Sequence, residues 1–217
     1  MRLRENCETD CFVKNSLYHS GMTDPSCTLG ETCDPRVVRT REMVLAAAAD
    51  LLDEGGWDAV THSSVSVRSG IGRTTLYRHW HDKVSLLGDA IKARIDADLP
   101  VPTGDLRADL LANLEQFRRA LASPTKRSSM CAVLAEAEHS EQFRSLRRAV
   151  TTVATSGVTS ALKAGKACGQ LPEDLDLDLT VEQLVGPMMF RGLMWHRPVT
   201  RAMTERLVDD FLASAAR

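Results

Sequence analysis

The stretch GIGRTTLYRHW, from Gly70 to Trp80, lies between two short helical patterns and decides how the chain is organised. Gly70 can adopt the left-handed conformation that ends a helix, and a new helix must begin only a few residues later, near Arg73. The preceding helix is predicted from Thr61, whose side-chain oxygen can cap it, to about Ser69. Two short helices joined by so tight a glycine turn predict a helix-turn-helix.

The second of these helices has two different faces on a helical wheel. Leu76 and Trp80 share one face, and together with Ile71 they are predicted to pack on the preceding helices. The other faces carry hydrogen-bonding side chains: Arg73, Thr74, Thr75, Tyr77, Arg78 and His79. Between residues 62 and 83 the acidic residue Asp82 stands alone against several basic ones. A local basic face of this kind suits a DNA groove.

The composition of the whole chain is that of a globular protein without overall attraction for nucleic acid. Its 217 residues are 43% hydrophobic, enough for a sizeable core, and the formal net charge is -2. DNA binding must therefore come from a local patch. No apolar run approaches the roughly 20 residues that cross a bilayer, and the N-terminus MRLRENCETDCF lacks the apolar centre of a secretory signal. The sequence predicts a soluble, cytoplasmic protein that does not bind membranes.

Residues 1–34 differ in composition from the rest of the chain. Four of the six cysteines lie there: Cys7, Cys11, Cys27 and Cys33. Their spacings are not the close pairs typical of zinc sites. Because this segment has no periodic apolar face, a disordered tail is predicted, with metal binding or redox sensing by the cysteines as the alternative. Met22 is a candidate translation start.

From Pro35 onwards the apolar residues recur at helical spacing, and no strand pattern competes, so an all-α fold is predicted. Helix 1 is predicted to run from Pro35 to about Gly55-Gly56. Trp57 to Val60 then form a connection that places an aromatic side chain in the core. Further helices are predicted over residues 82–98, 105–121, 126–137, 140–166, 179–195 and 200–215.

The segment THSSVSVRSGIGRTTLYRHWHDKVSLL, Thr61 to Leu87, resembles the DNA-binding signature of the tetracycline-repressor (TetR) family. It has the threonine that opens helix 2, the glycine turn, a TLYRHF-like recognition helix and a DK..LL start to helix 4. The segment LVGPMMFRGLMWHRPVTRAMTERLVDDFL resembles the last two helices of one branch of these regulators. Two features depart from the family pattern. Gly72 replaces a capping serine or threonine, and Ser63, Ser64 and Ser66 replace acidic and alanine residues.

The resemblance implies a fold and a set of DNA contacts. The fold is a three-helix DNA-binding domain over residues 35–81 and a helical effector-binding and dimerisation domain over residues 82–217, connected by helix 4. Base-edge contacts are implied for Arg73, Thr74 and Tyr77. Phosphate contacts are implied for Thr61, Thr75, Arg78, His79 and Lys83. On the helical wheel Arg78 lies near the centre of the outward face, so a base contact is also possible for it. For Tyr77 the alternative to a DNA contact is partial burial against helix 1.

The chemistry of two of these residues supports different roles. An arginine in the first turn can contact both acceptors of a guanine edge, which is worth about 1–3 kcal/mol of discrimination. Arg73 is therefore predicted to determine specificity. Lys83, at the N-terminus of helix 4, is predicted to bind a phosphate without reading the sequence.

The predicted helix over residues 179–195 is apolar almost all round, so it should be buried on more than one side. A homodimer is predicted, and Pro187 is expected to kink this helix. The predicted interface residues are Val181, Leu184, Val185, Gly192, Leu207 and Phe211. A small-molecule pocket is the weaker inference, with ordinary core packing as the alternative. Its candidate lining residues are Phe117, Met130, Leu134, Phe143, Met188, Met189 and Trp195.

The predicted function is a transcriptional repressor that binds a near-palindromic double-stranded DNA operator as a homodimer and is released by an unidentified small molecule. An activator of the same fold, or an effector-independent helix-turn-helix protein, is the alternative. The sequence carries no catalytic motif and no phosphate-binding glycine loop, so no enzyme and no cofactor are predicted. No metal site is predicted either, because His79 and His81 point in different directions on a helix.

Overall fold

The computed structural model describes residues 34–215, which form helices and short connections without any strand. Nine α-helices follow one another in this part of the chain: α1 (Pro35–Ala59), α2 (His62–Ser69), α3 (Arg73–His79), α4 (Lys83–Asp98), α5 (Leu106–Ala122), α6 (Pro124–Glu136), α7 (Glu141–Ala167), α8 (Leu177–Met189) and α9 (Arg201–Ala215). The predicted all-α fold is confirmed. The predicted tail, with its four cysteines, lies outside the described residues except for Asp34.

Side-chain caps explain where several helices begin. Thr61 Oγ1 accepts a hydrogen bond from the Ser64 amide at 3.0 Å before α2, and Asp82 Oδ1 accepts one from the Ser85 amide at 2.8 Å before α4. Such caps satisfy amides that have no partner within the first turn. Local sequence signals of this kind set most helix starts within a few residues of their predicted positions.

Helix α1 differs from its prediction at its C-terminal end. Its helical path breaks at Gly56, which has φ 72° and ψ -163°, but a last turn continues to Ala59. Trp57 therefore lies in the final turn of α1 and not in a connection after it. A positive φ is a conformation that glycine adopts without steric cost, which is why the break falls at this residue.

Two clusters of buried side chains hold the helices together. The first is built from α1 to α4 and includes Val44, Val60, Val65, Leu76, Trp80, Leu86 and Leu87. The second is built mainly from α5, α7, α8 and α9 and includes Leu110, Leu114, Val158, Leu162, Leu184 and Met188. Burying one such side chain is worth about 1.5–3 kcal/mol, so each cluster can hold its own set of helices. The first half of α4 belongs to the first cluster.

Contacts of α1 join the two parts of the chain. The rings of Trp57 in α1 and Phe143 in α7 have centroids 5.2 Å apart. Lys126 Nζ in α6 lies 3.2 Å from Asp53 Oδ1 in α1. A movement of α6 or α7 would therefore act directly on the end of α1 that precedes the helix-turn-helix.

A π-helical turn, Phe190–Met194, extends α8. Pro187 lies inside α8 and has no amide hydrogen to donate, and the wider turn begins three residues later. Gly192 in this turn is buried against α5, since a Cβ there would lie 3.0 Å from Leu121 Cδ2. The predicted continuous helix over residues 179–195 thus changes type near its end.

Candidate nucleic-acid interface

The turn between α2 and α3 is fixed by a glycine and a serine. Gly70 has φ 72° and ψ 6°, and its amide donates to the Ser66 carbonyl at 3.0 Å. The Ser66 hydroxyl donates to the Ile71 carbonyl at 2.7 Å on the far side of the turn. Gly72 then caps α3 without a side-chain bond. The predicted helix-turn-helix is confirmed, and Ser66, one of the unusual serines, stabilises its turn.

Helix α3 is held by the two residues predicted from its spacing. Leu76 is fully buried and Trp80 is 3% exposed. The indole Nε1 of Trp80 donates to Asp89 Oδ2 in α4 at 2.9 Å, and the Arg41 guanidinium of α1 lies 5.1 Å from the ring centroid. Arg41 also bonds to Asp89 at 2.5 Å. Trp80 therefore connects α3 with both α1 and α4.

The remaining side chains of α3 point away from the core. Four predicted DNA-contacting residues of this helix are exposed besides Tyr77: Arg73, Thr74, Arg78 and His79. Thr75 is half-buried, and Thr61, at the start of α2, is exposed. No ion pair to Arg73 or Arg78 occurs within residues 34–215, so both guanidinium groups are available for an external anion.

Tyr77 is 51% exposed and packs on α2. Its ring stacks on His62 with centroids 4.2 Å apart and an interplanar angle of 8°. His62 is itself buried, and its Nε2 lies 2.8 Å from the carbonyl oxygen of Trp80. Sequence reasoning missed His62, because the stack depends on how α2 crosses α3.

Ser64 completes the start of α2. Its hydroxyl accepts from the Thr61 amide at 2.9 Å and donates to the Ala59 carbonyl at 2.8 Å. Thr61 and Ser64 thus form a reciprocal cap, in which serine takes the place of the usual glutamate or glutamine. The Thr61 backbone, and with it the exposed N-terminus of α2, is therefore fixed before any ligand arrives.

Lys83 lies at the N-terminus of α4 and over an aromatic ring. Its Nζ is 5.0 Å from the centroid of Trp57. Burial lowers the pKa of Lys83, and the nearby Asp58 carboxylate opposes this shift.

The neighbouring Asp82 carboxylate, which caps α4, has a lowered pKa. Partial burial alone would raise this pKa, but the hydrogen bonds from the Ser85 amide and hydroxyl lower it.

Arg68 does not belong to the free basic surface that the charge count predicted. Its guanidinium forms two bonds to the carboxylate of Glu54 in α1, at 2.9 and 2.6 Å. The side-chain bond from Arg68 lowers the pKa of Glu54, and the same bond raises the pKa of Arg68. The basic surface near α3 is therefore carried by Arg73, Arg78 and Lys83.

The side chains predicted to line an effector pocket divide between the second cluster and more exposed surroundings. Four of them belong to or pack on the second cluster: Phe117, Met130, Met188 and Met189. Leu134 and Trp195 are exposed, and Phe143 packs on Trp57. Two surface pockets of the described residues, of about 460 and 370 Å³, are lined by other residues.

The predicted dimer-interface residues differ in how far the single chain buries them. Leu184, Val185 and Gly192 are buried within their own chain, so they are not available to a second copy. Val181, Leu207 and Phe211 are half-buried against the second cluster. The exposed apolar side chains of this region are instead Leu179, Phe190, Met194 and Trp195. Gly186 is exposed beside them, and a Cβ there would meet nothing within 4 Å.

The described residues contain few side-chain groupings of the kind that bind metal ions or membranes. Within residues 34–215 no group of three or more histidine, cysteine, aspartate or glutamate side chains could hold a metal ion. No helix in this range is long and apolar enough to cross a membrane. His79 packs on Trp80 with ring centroids 5.7 Å apart.

A capped α2, a left-handed glycine turn and an outward basic face on α3 define a helix-turn-helix DNA-binding protein. Two family patterns match the chain. Residues 44–90 match "Bacterial regulatory proteins, tetR family", and residues 100–211 match "Tetracyclin repressor-like, C-terminal domain". The chain belongs to the TetR family of transcriptional regulators.

Individual relatives agree over most of the chain. It is 30% identical over 178 residues to the DNA-binding transcriptional repressor TetR of Mycobacteroides abscessus, covering 78% of this chain and 90% of that relative. It is 28% identical over 178 residues to the uncharacterized regulator YdeS of Bacillus subtilis, covering 80% and 88%. The crystal structure of the TetR family transcription regulator SCO0332 superposes with a TM-score of 0.72 at 29% identity, covering 81% and 97%. The protein is a DNA-binding transcription regulator.

Proposed function

We propose that this regulator is a cytoplasmic repressor that binds a near-palindromic operator as a homodimer and leaves it when a small molecule binds the helical body. The observation that carries the proposal is the outward face of α3, where Arg73 and Arg78 have no ion-pair partner among the described residues. Repression is favoured over activation by the M. abscessus relative, which is a repressor. Activation remains the second candidate, since the outcome depends on where the operator lies.

The surface around α3 supports a division of roles. Arg73, Thr74 and Tyr77 lie on the exposed face and are proposed to contact base edges in the major groove. Phosphate contacts are proposed for Thr61, Thr75, Arg78, His79 and Lys83. Residues 35–81 are proposed to form the DNA-binding domain and residues 82–217 the effector-binding and dimerisation domain. In this division α4 connects the two, because its first half packs in the first cluster.

Two substitutions should separate base reading from phosphate binding. Arg73→Ala is expected to relax preference at one position of each half-site by about 1–3 kcal/mol, since the guanine contact is lost. Lys83→Ala is expected to weaken binding to all duplexes alike and to lower the slope of log affinity against log salt by about 1. Both are measured as affinities for the duplex that the wild-type protein selects from random DNA, and for its single-base variants.

Arg206→Ala serves as the control, because this arginine lies in α9 and its side chain is 83% exposed. It should leave both readouts unchanged. The wild-type selection should return an inverted repeat with half-sites about one helical turn apart or somewhat more. An asymmetric or sequence-indifferent selection contradicts the proposed function, and equal losses on all duplexes in Arg73→Ala contradict the assigned role of Arg73.

The homodimer is proposed to form through the exposed face of α8 and the π-helical turn. Phe190 and Met194 are 50% and 68% exposed, and Leu179 extends the same apolar surface. Gly186 leaves open space in which a second helix can approach closely. Apolar area of this kind gains about 25 cal/mol per Å² when it is buried, which supports its use as an interface.

The effector is proposed to bind among the side chains that belong to the second cluster. Met188 is fully buried there, so a ligand near Phe117, Met130 and Met189 must displace packed side chains. Methionine adapts to such changes because it is unbranched and flexible. A ligand releases DNA only if it binds one conformation better than the other. Contacts of Phe143 with Trp57, and of Lys126 with Asp53, would carry this difference to α1.

Native mass spectrometry of the purified protein, incubated with extract of the producing cells, tests the effector. A retained small molecule that also weakens operator binding supports the proposal. A protein that stays empty across growth conditions supports ordinary core packing at these residues, and with it the effector-independent alternative.

A further inference from the structure

We propose that His62 positions Tyr77 for base reading, so that a buried residue of α2 sets part of the discrimination made by α3. The inference rests on the proposed function, in which Tyr77 contacts DNA. His62 is a positioning residue here, because it is 8% exposed and does not itself face a ligand.

The stack restricts the tyrosine ring on one side only. The two rings are nearly parallel, with an 8° interplanar angle and centroids 4.2 Å apart. About half of the Tyr77 side chain nevertheless remains exposed. His62 therefore covers one side of the tyrosine and leaves the rest open to DNA. A tyrosine on an exposed helix face would otherwise sample several rotamers.

His62 is held in place by a second contact. Its Nε2 lies 2.8 Å from the carbonyl oxygen of Trp80. Trp80 is the C-cap residue of α3. A carbonyl oxygen can only accept, so Nε2 carries the proton in this bond. The backbone of His62 is fixed in turn by the Thr61 cap at the start of α2.

One imidazole thus links α2 to two points of α3, the ring of Tyr77 and the carbonyl of Trp80. The Trp80 bond orients the imidazole, and the stack with the imidazole is the contact that orders the tyrosine ring. Because the ring is already ordered in the free protein, less side-chain conformational entropy is lost when Tyr77 binds DNA. The expected gain is about 2- to 10-fold in affinity per half-site, the range for ordering one side chain at an interface.

Two substitutions separate the stack from the bond. His62→Phe keeps an aromatic ring against Tyr77 but cannot donate to Trp80. His62→Gln keeps an amide donor but has no ring. The probe is the duplex selected by the wild-type full chain from random DNA, together with all its single-base variants, and melting temperature is recorded for every protein.

His62→Gln is expected to lose about 2- to 10-fold discrimination per half-site at the base positions that Tyr77→Ala also affects. His62→Phe is expected to keep this discrimination even if its melting temperature falls. In the Tyr77→Ala background, His62→Gln should cause no further loss, because it acts through the tyrosine.

Three results would overturn the inference alone. The first is unchanged base discrimination in His62→Gln. The second is a loss of discrimination in His62→Phe but not in His62→Gln, which would assign the effect to the Trp80 bond. The third is an equal loss from His62→Gln whether residue 77 is tyrosine or alanine. If the wild-type protein selects no sequence at all, the proposed function itself falls, and this inference with it. The two failures are therefore distinguishable.

Discussion

Replacing Trp80 with alanine is expected to unfold the DNA-binding end of the chain while the second cluster stays folded. The indole is 3% exposed and belongs to the first cluster. Removing a buried aromatic side chain typically costs about 3–5 kcal/mol. The change also removes the Nε1 donor to Asp89 and the ring beside Arg41, so a carboxylate and a guanidinium lose a shared partner. A small cluster has little stability in reserve for such a loss.

Hydrogen exchange followed by mass spectrometry measures this effect segment by segment. Peptides from residues 35–80 should lose protection in Trp80→Ala, whereas peptides from residues 106–189 should keep it. Trp195→Ala is the matched control, since that indole is 55% exposed and lies outside the first cluster. Protection of residues 35–80 equal to that of the wild type would contradict the role given to Trp80.

The helix-turn-helix could be predicted from the sequence because its signals are local. Gly70 ends α2 with a positive φ, and Leu76 and Trp80 are spaced so that both face the core. Neither feature depends on residues far away in the chain. The same holds for the start of α4, where the Asp82 carboxylate accepts a hydrogen bond from the amide of Ser85, three residues later in the chain.

The partners of polar side chains could not be predicted in this way. Arg68 bonds to Glu54, 14 residues earlier in the chain, and His62 stacks on Tyr77 in the neighbouring helix. Both contacts depend on the angles at which α1, α2 and α3 cross, which no local pattern contains. A count of formal charges therefore overestimated the free basic surface by one arginine.

The differences between the predicted and observed helix at α8 have a geometric cause. The sequence predicts one continuous helix over residues 179–195, with Leu184 and Gly192 as interface residues and Trp195 as a pocket residue. The π-helical turn at Phe190–Met194 contains an i to i+5 bond, so it shifts the phase of every later residue. Leu184 and Gly192 are buried in the structure, but Trp195 is exposed. An all-apolar pattern also gives no sign of which side the chain itself covers.

Phe190→Glu is expected to convert the proposed dimer into a monomer. Phe190 is 50% exposed in the single chain, so a carboxylate there costs the fold little. In the proposed interface the same carboxylate would be buried without a partner, and two-fold symmetry places it there twice. A penalty of about 3 kcal/mol raises the dissociation constant of the dimer by more than about 100-fold. Light scattering after gel filtration gives the mass directly.

Leu134→Glu is the matched control, because Leu134 in α6 is 42% exposed and lies outside the proposed interface. It should remain a dimer. The monomer made by Phe190→Glu has one α3 and can hold one half-site, so it should bind the selected operator far more weakly and show no preference for the inverted repeat over a single half-site. A Phe190→Glu protein that stays dimeric would place the interface elsewhere, and the half-buried side chains of α9, Leu207 and Phe211, would then be the next residues to replace.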